Sequence, residues 1–156
     1  MQPVPDAFPN PRAAAPGVAL PDEIAAFVES GLSIILGVVG PDHRAQTGRA
    51  LAARVLPGGR LRLICAEEGN ATVLATARAG GPIAATLSAP LSHRTLQIKG
   101  LTCRLEPIEP EDEGATRFQT DAFAAVLGAI GYPPVFVRAF SDYRSSPLFV
   151  LGLPVQ

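Results

Sequence analysis

Apolar runs separated by Gly and Pro turns fill the chain from residue 20 onward, and their patterning predicts mostly strands. Residues 33–39 form a continuous apolar run, typical of a buried strand, and residues 40–43 form a turn. The next strand is predicted over residues 48–56, after which the Pro-Gly-Gly segment at 57–59 reverses the chain. Along residues 60–66 the side-chain character alternates with a period of two, which is typical of a strand whose two faces have different surroundings. These three runs predict an antiparallel meander.

Three more strands and four helices complete the predicted elements. Residues 94–105 form one long strand with Gly100 as a bulge or bend, and the other two strands are residues 83–88 and 147–153. Asn70 is the predicted N-cap of the second helix. The acidic run at residues 109–113 is expected on a solvated face, where it compensates the dipole of the third helix. The helices are predicted over residues 21–30, 70–79, 111–130 and 134–140.

The order of these elements predicts a mainly β fold with helices, of the α+β class. Six antiparallel strands with intervening helices favour a closed or partly closed barrel over a doubly wound parallel sheet. Five prolines in residues 1–19 forbid regular helix or central strand, so we expect this segment to be an extended arm rich in Pro and Ala. Residues 20–156 are predicted to form a single domain.

The composition is that of a globular protein of 156 residues, with 47% apolar residues, 17% charged residues and a formal net charge of -1. A net charge this close to zero produces no overall electrostatic field that would steer the protein to nucleic acid or to an anionic membrane surface. No apolar run approaches the ~20 residues that span a bilayer, and the N-terminus lacks the pattern of a secretory signal. We therefore expect a cytoplasmic protein, with Cys65 and Cys103 as buried reduced thiols. The low fraction of charged residues favours a dimer, in which a second copy of the chain covers part of the surface.

Arg49 and Arg54 are the most informative charged residues, because they interrupt the small apolar run of the second predicted strand. A buried guanidinium is costly unless an anion or several acceptors meet it. The two arginines are five residues apart, so a flat strand places them on opposite faces, about 16 Å from each other. At the start of the second helix, Asn70, Thr72 and backbone N–H groups offer donors to the same kind of anion. The residues alone equally allow two arginines that extend from a barrel edge into solvent.

Other familiar sites have no support in the sequence. The chain has no Gly-rich phosphate loop, no nucleophile elbow and no His-Glu-x-x-His motif. Its two histidines, His43 and His93, are far apart in the chain, and no metal site is predicted.

Four segments, in this order, resemble the pyridoxamine 5'-phosphate oxidase-like family of split-barrel proteins, which commonly bind FMN. They are residues 20–39, the strand Arg49-Ala50-Leu51-Ala52-Ala53-Arg54, the passage over residues 63–72, and residues 94–100. The resemblance covers about residues 20–106 and is weaker from there to the end. It implies a six-stranded antiparallel split β-barrel of Greek-key type, with FMN bound at the interface of a homodimer.

The resemblance also implies a set of cofactor-binding residues at the positions that match. Arg49, followed by the backbone of Ala50 and Leu51, matches the family's first FMN strand. Arg54 matches a cationic position near the flavin, and Thr95 matches a polar position that faces the isoalloxazine ring. The remaining matches line the cofactor or form its phosphate turn, and these are Cys65, Ala66, Asn70 and Thr72.

Two departures separate the chain from the true oxidases of that family. Ala71 and Thr72 stand where those enzymes have two cations, and the chain has no Trp and lacks their C-terminal segment with Trp and Arg. Oxidation of pyridoxamine phosphate is therefore not expected. The leading hypothesis is an FMN-dependent oxidoreductase acting on a small unknown substrate. The alternatives are a barrel dimer that binds a deazaflavin or, through His93 as axial ligand, haem, and a dimer without a catalytic role.

Overall fold

The computed structural model describes residues 17–155, so the predicted arm lies almost entirely outside the described residues. None of the helices in this range combines the length and apolar character needed to cross a membrane. In chain order the elements are α1 (Asp22–Val28), β1 (Ser33–Val39), β2 (Ala45–Ala50), β3 (Ala52–Leu56), β4 (Arg60–Ala66), α2 (Ala71–Arg78), β5 (Ile83–Ser88), β6 (Thr95–Gly100), β7 (Arg104–Glu106), α3 (Pro110–Ala129), α4 (Pro134–Ser141) and β8 (Leu148–Pro154).

The strands form two antiparallel sheets of four strands each. Sheet one has the order β2-β1-β5-β6, and sheet two has the order β3-β4-β8-β7. Residues 17–155 therefore contain eight strands where the sequence predicted six. The α+β class and the antiparallel two-sheet arrangement of a split barrel agree with the prediction, whereas the Greek-key description stays a prediction.

The predictions of single strands over residues 48–56 and 94–105 were wrong, because the chain passes from one sheet to the other within each. The first run divides at Leu51, whose N–H already donates to the carbonyl of Ile64 in sheet two at 2.7 Å. The second run divides between β6 of sheet one and β7 of sheet two. Both halves of each run keep a strand-like pattern, so alternation along the sequence does not reveal the change of sheet.

One core lies between the inner faces of the two sheets. Leu36 and Leu87 of sheet one and Leu63 and Leu151 of sheet two have no exposed surface. Helix α2 adds Val73 and Ala77 to the same core. The core also contains Cys65 and Cys103, which are buried and form no disulfide, as predicted.

Helix α3 packs along β3, which is an edge strand of sheet two. The buried side-chain amide of Gln119 accepts a hydrogen bond from the N–H of Ala53 at 2.9 Å and donates one to its carbonyl at 2.7 Å. The N–H of Val55 donates to the Glu29 carboxylate at 2.7 Å in the same way. Side chains from α3 and from the residue after α1 therefore satisfy backbone groups along this edge.

An ionic cluster attaches the start of α3 to sheet two, and it consists of Arg54, Arg62, Glu106, Glu109 and Asp112. Asp112 is fully buried and lies 2.6 Å from Arg54 and 2.5 Å from Arg62. Arg62, which is only 3% exposed, also pairs with Glu106. The expectation of a solvated acidic run was therefore wrong for Asp112, because two guanidinium groups make its burial favourable. Glu111 and Glu113 are exposed, as expected.

Candidate functional site

Arg49 lies on the outward face of sheet one, opposite the core. It pairs with Ile35, which is 40% exposed, whereas the flanking Ile34 and Leu36 point into the core. Its backbone is held by Asn70, whose side-chain amide accepts from the Arg49 N–H at 2.9 Å and donates to the Arg49 carbonyl at 2.9 Å. The same amide donates to the carbonyl of Ala66 at 2.7 Å. Asn70 thus joins the outer edge of β2 to the end of β4 and the start of α2.

The side chain of Arg49 is half-buried against α4 and has no acidic partner. Its guanidinium carbon lies 3.7 Å from the centre of the Phe140 ring, a cation–π contact. Burial lowers the pKa of Arg49, and no carboxylate of the described residues lies within 4.0 Å to oppose that effect. Arg54 and Arg62 are instead each bound to carboxylates of the ionic cluster. Arg49 is therefore a partly desolvated cation that lacks a counter-charge within the described chain.

Aromatic side chains of α3, α4 and the turn before α4 extend from this contact. Phe140 lies 5.8 Å from Phe123 of α3 and 5.6 Å from Phe136, which in turn stacks on Tyr132 at 5.0 Å. The sequence analysis did not include Phe140 in the site. The i, i+4 spacing of Phe136 and Phe140 predicts that both rings lie on one face of α4, with Tyr132 just before the helix, but that spacing does not tell which strand the rings meet.

The start of α2 lies next to the backbone of Arg49, and the N–H groups of its first turn have no side-chain cap. Asn70 occupies the predicted N-cap position, but its side chain makes no capping hydrogen bond. The amide is engaged by the Arg49 and Ala66 backbone instead. The N–H groups of the first helical turn have no intrahelical acceptor and can donate to an anion. Thr72 in that turn is half-buried and Ala71 is exposed.

The other predicted site residues lie in three different environments. Ala50 is buried and Leu51 half-buried where the chain changes sheets. Cys65 is in the core, where burial strongly raises the pKa of its thiol. Thr95 is exposed on β6, the opposite edge of sheet one, and its hydroxyl lies 3.0 Å from that of Ser88. The structure thus joins Arg49, Ala66 and Asn70 through the Asn70 amide, whereas Arg54 belongs to the ionic cluster of sheet two. Thr72 lies two residues after Asn70, in the first turn of α2.

The two histidines lie outside this group. His93 is exposed in the turn before β6, with φ of 58°, so it is not on a strand as the haem hypothesis required. Within the described residues, no group of three or more His, Cys, Asp or Glu side chains could hold a metal ion.

Comparison with known proteins identifies the fold. The structure superposes on a candidate pyridoxamine 5'-phosphate oxidase from Lactobacillus delbrueckii with a TM-score of 0.51 and 16% identity, covering 88% of this chain and 91% of the other. It superposes on HupZ of Group A Streptococcus with a TM-score of 0.52 and 12% identity, covering 88% and 90% of the two chains. No protein-family model and no curated protein sequence matches the chain. At these identities the likeness shows the fold, which is the split barrel of pyridoxamine 5'-phosphate oxidase-like proteins.

Proposed function

We propose that this split-barrel protein binds FMN on the outward face of sheet one as a homodimer, and uses it as an oxidoreductase acting on a small molecule. The observation that carries the proposal is the half-buried guanidinium of Arg49, which contacts the Phe140 ring and lacks a carboxylate partner among the described residues. The other buried strand arginine, Arg62, has carboxylate partners. A phosphate at Arg49 would supply the counter-charge that the described residues do not.

The residues around Arg49 fit the phosphate end of a flavin nucleotide. A guanidinium donates two parallel charge-assisted hydrogen bonds to phosphate oxygens. We assign the first-turn N–H groups of α2, which begins at the residue after Asn70, as further donors to the same ligand. Asn70 fixes the backbone of Arg49 at both its N–H and its carbonyl, so the side chain starts from a rigid position. The Phe140 ring restricts the guanidinium further. The absence of cations at Ala71 and Thr72 gives Arg49 a larger share of the phosphate binding.

The division of roles among the other residues follows from their positions. FMN, when bound, supplies the redox chemistry, and the protein supplies binding, orientation and electrostatics. Thr95 and Gln97 share the outward face of sheet one with Arg49 and offer a hydroxyl and an amide for polar groups of the ligand. Arg54 is assigned a structural role, because its guanidinium is bound to Asp112 and Glu109.

The proposal predicts a flavin spectrum for the freshly purified full-length protein. FMN added to the protein should be bound, with quenching of flavin fluorescence and the stoichiometry of one FMN per chain. A colourless protein that produces no saturable change in an FMN titration would contradict cofactor binding. A protein that binds FMN but neither reduces nor reoxidises it would contradict only the catalytic part of the proposal.

Replacement of Arg49 tests the assigned anchor. Arg49→Ala should weaken FMN binding by about 1.5–3 kcal/mol, or roughly 10- to 150-fold in Kd, the range for a hydrogen bond to a charged group. Arg94→Ala is the matched control, because Arg94 also lies over an aromatic ring, Phe27, at 4.4 Å, but is half-exposed and outside the site. An FMN Kd that is unchanged in Arg49→Ala, or equally weakened in Arg94→Ala, would refute the role of Arg49.

A further inference from the structure

A second group of arginines lines an open cleft at the junction of α3, α4 and the segment that follows α4. The cleft has a volume of about 330 Å³. Arg117 reaches it from α3, Arg138 from α4, and Arg144 from the following segment, together with the half-buried Tyr143. A neighbouring cleft of about 280 Å³ shares Arg117, Tyr143 and Arg144 as part of its wall. Arginines from three segments therefore line one space.

These arginines do not form the ion pairs that their spacing offers. Glu113, Asp121 and Asp142 are each four residues from one of them along the helices or at a helix end, the separation at which side-chain ion pairs form. Within residues 17–155, no carboxylate oxygen lies within 4.0 Å of the guanidinium nitrogens of Arg117, Arg138 or Arg144. In the ionic cluster, by contrast, both arginines have carboxylate partners. The cleft arginines thus keep their donors available.

We infer that this cleft is a second anion-binding site, for a small molecule that carries a phosphate or a carboxylate. Planar guanidinium forks match the oxygen geometry of both groups, and the Tyr143 hydroxyl can donate beside them. Asp121 and Asp142 also line the cleft, so the ligand that fits best has hydroxyl or amino donors as well as its anionic group. The volume lies near the lower end of the roughly 300–1,000 Å³ range of small-molecule pockets.

The cleft is distinct from the Arg49 site but adjoins it. The hydroxyl-bearing Thr120 lines both this cleft and the small cavity between Arg49 and Phe140. Arg138 and Phe140 are two residues apart on α4, and so they point to different sides of the helix. A ligand in the cleft therefore does not need the guanidinium of Arg49. The inference stands without FMN, and its test separates the two sites.

Titration of the full-length protein with inorganic phosphate and with succinate, at constant ionic strength and followed by calorimetry, tests the site. We expect saturable binding of at least one probe that persists in Arg49→Ala. Arg138→Ala and Arg144→Ala should each weaken it by about tenfold or more, the loss expected for one charge-assisted hydrogen bond. Arg78→Ala, which removes an exposed arginine from the last turn of α2, should leave it unchanged.

Two further variants distinguish the loss of the anion-binding site from damage to the fold. Asp142→Asn should tighten phosphate binding, because it removes a like charge from the cleft wall, whereas a damaged fold would weaken it. Arg138→Lys should retain part of the binding lost in Arg138→Ala. The inference is overturned if neither probe saturates, if Arg78→Ala weakens binding as much as Arg138→Ala, or if binding is lost in Arg49→Ala alone. Weaker FMN binding in Arg138→Ala, equal to the phosphate effect, would assign the cleft to the cofactor instead and would also overturn it.

Discussion

At the scale of single residues, Gly48 makes the contact between Asn70 and β2 sterically feasible. A Cβ atom at this position would lie 2.2 Å from the Asn70 amide oxygen and 2.6 Å from a methyl carbon of Val73. Both neighbours are buried, so neither can rotate away into solvent. The absence of a side chain at Gly48 is therefore what lets the amide reach the backbone of the next residue, Arg49.

Gly48→Ala should destabilise the protein by about 2–3 kcal/mol, since it both overpacks a buried position and displaces a hydrogen-bonded amide. The free energy of unfolding in urea measures this. Gly114→Ala is the control, because Gly114 lies within α3 with no atom within 4 Å of its added Cβ. That change should stabilise the protein by about 0.5–1 kcal/mol through helix propensity. Equal stability of Gly48→Ala and the wild type would show that the Asn70 contact is dispensable.

The arginines show how far residue-level prediction reaches in this chain. The sequence alone identified Arg49 and Arg54 as costly cations and predicted that a flat strand would separate their tasks. It did not show that a change of sheet at Leu51 separates them, nor that Asp112 partners Arg54 from 58 residues away. The distinction between a paired and an unpaired arginine depends on such long-range contacts, and no local pattern encodes them.

At the scale of elements, the ionic cluster determines how α3 is attached to sheet two. Burial of the Asp112 carboxyl opposes its ionisation, but hydrogen bonds from Arg62 and Arg54 outweigh that effect and lower its pKa to about 2. Asp112 also accepts a hydrogen bond from the N–H of Glu109 at 2.8 Å, and this forms part of a capping box. One buried carboxylate therefore both caps the helix and pairs with two strand arginines.

This lowered pKa predicts a specific loss of stability in acid. Because the folded-state pKa of Asp112 lies below its unfolded value of 3.8, its contribution is present above about pH 4 and is lost as the pH falls through about 2. The contribution is of the order of 2 kcal/mol. Asp112→Asn should remove the dependence in that window and cost about 3 kcal/mol at neutral pH, because Arg62 stays buried. Urea unfolding between pH 2 and pH 7 measures both effects.

Glu111→Gln provides the comparison for Asp112→Asn, because Glu111 is the preceding residue and is exposed. Its stability curve should follow that of the wild type within about 0.5 kcal/mol, as for other surface substitutions. If Asp112→Asn kept the acid-dependent loss of stability, the pairing with Arg62 and Arg54 would not be its source.

Element boundaries were predicted well where a local signal exists and poorly where the fold overrides it. The strand Ser33–Val39 was predicted at its observed bounds because it is an uninterrupted apolar run with a turn after it. Arg62 lies on a strand with the predicted alternation, yet both faces of that strand are buried. The face of β4 that bears Arg62 reads as polar in the sequence, but the start of α3 covers it with an acidic partner.

At the scale of the whole molecule, the outward face of sheet one gives a structural reason to expect a second copy of the chain. It carries the exposed side chains of Ile35 and Val39, which are 40% and 54% exposed. An open groove of about 360 Å³ crosses the same face and is lined mainly by apolar groups, including Gly37, Ala84 and Leu101. Apolar surface of this kind on an antiparallel sheet is stabilised when another subunit removes it from water.

We therefore predict a dimer that assembles through this face. Light scattering after gel filtration at micromolar concentration should give twice the chain mass. Val39→Glu should weaken association by about 2 kcal/mol or more, roughly 30-fold in Kd, because it places an unpaired charge in an apolar contact. Leu91→Glu is the control, since Leu91 is 62% exposed in a turn away from the groove. A monomeric wild type, or equal dissociation in both variants, would remove this face as the interface and leave the Arg49 site to be formed by one subunit alone.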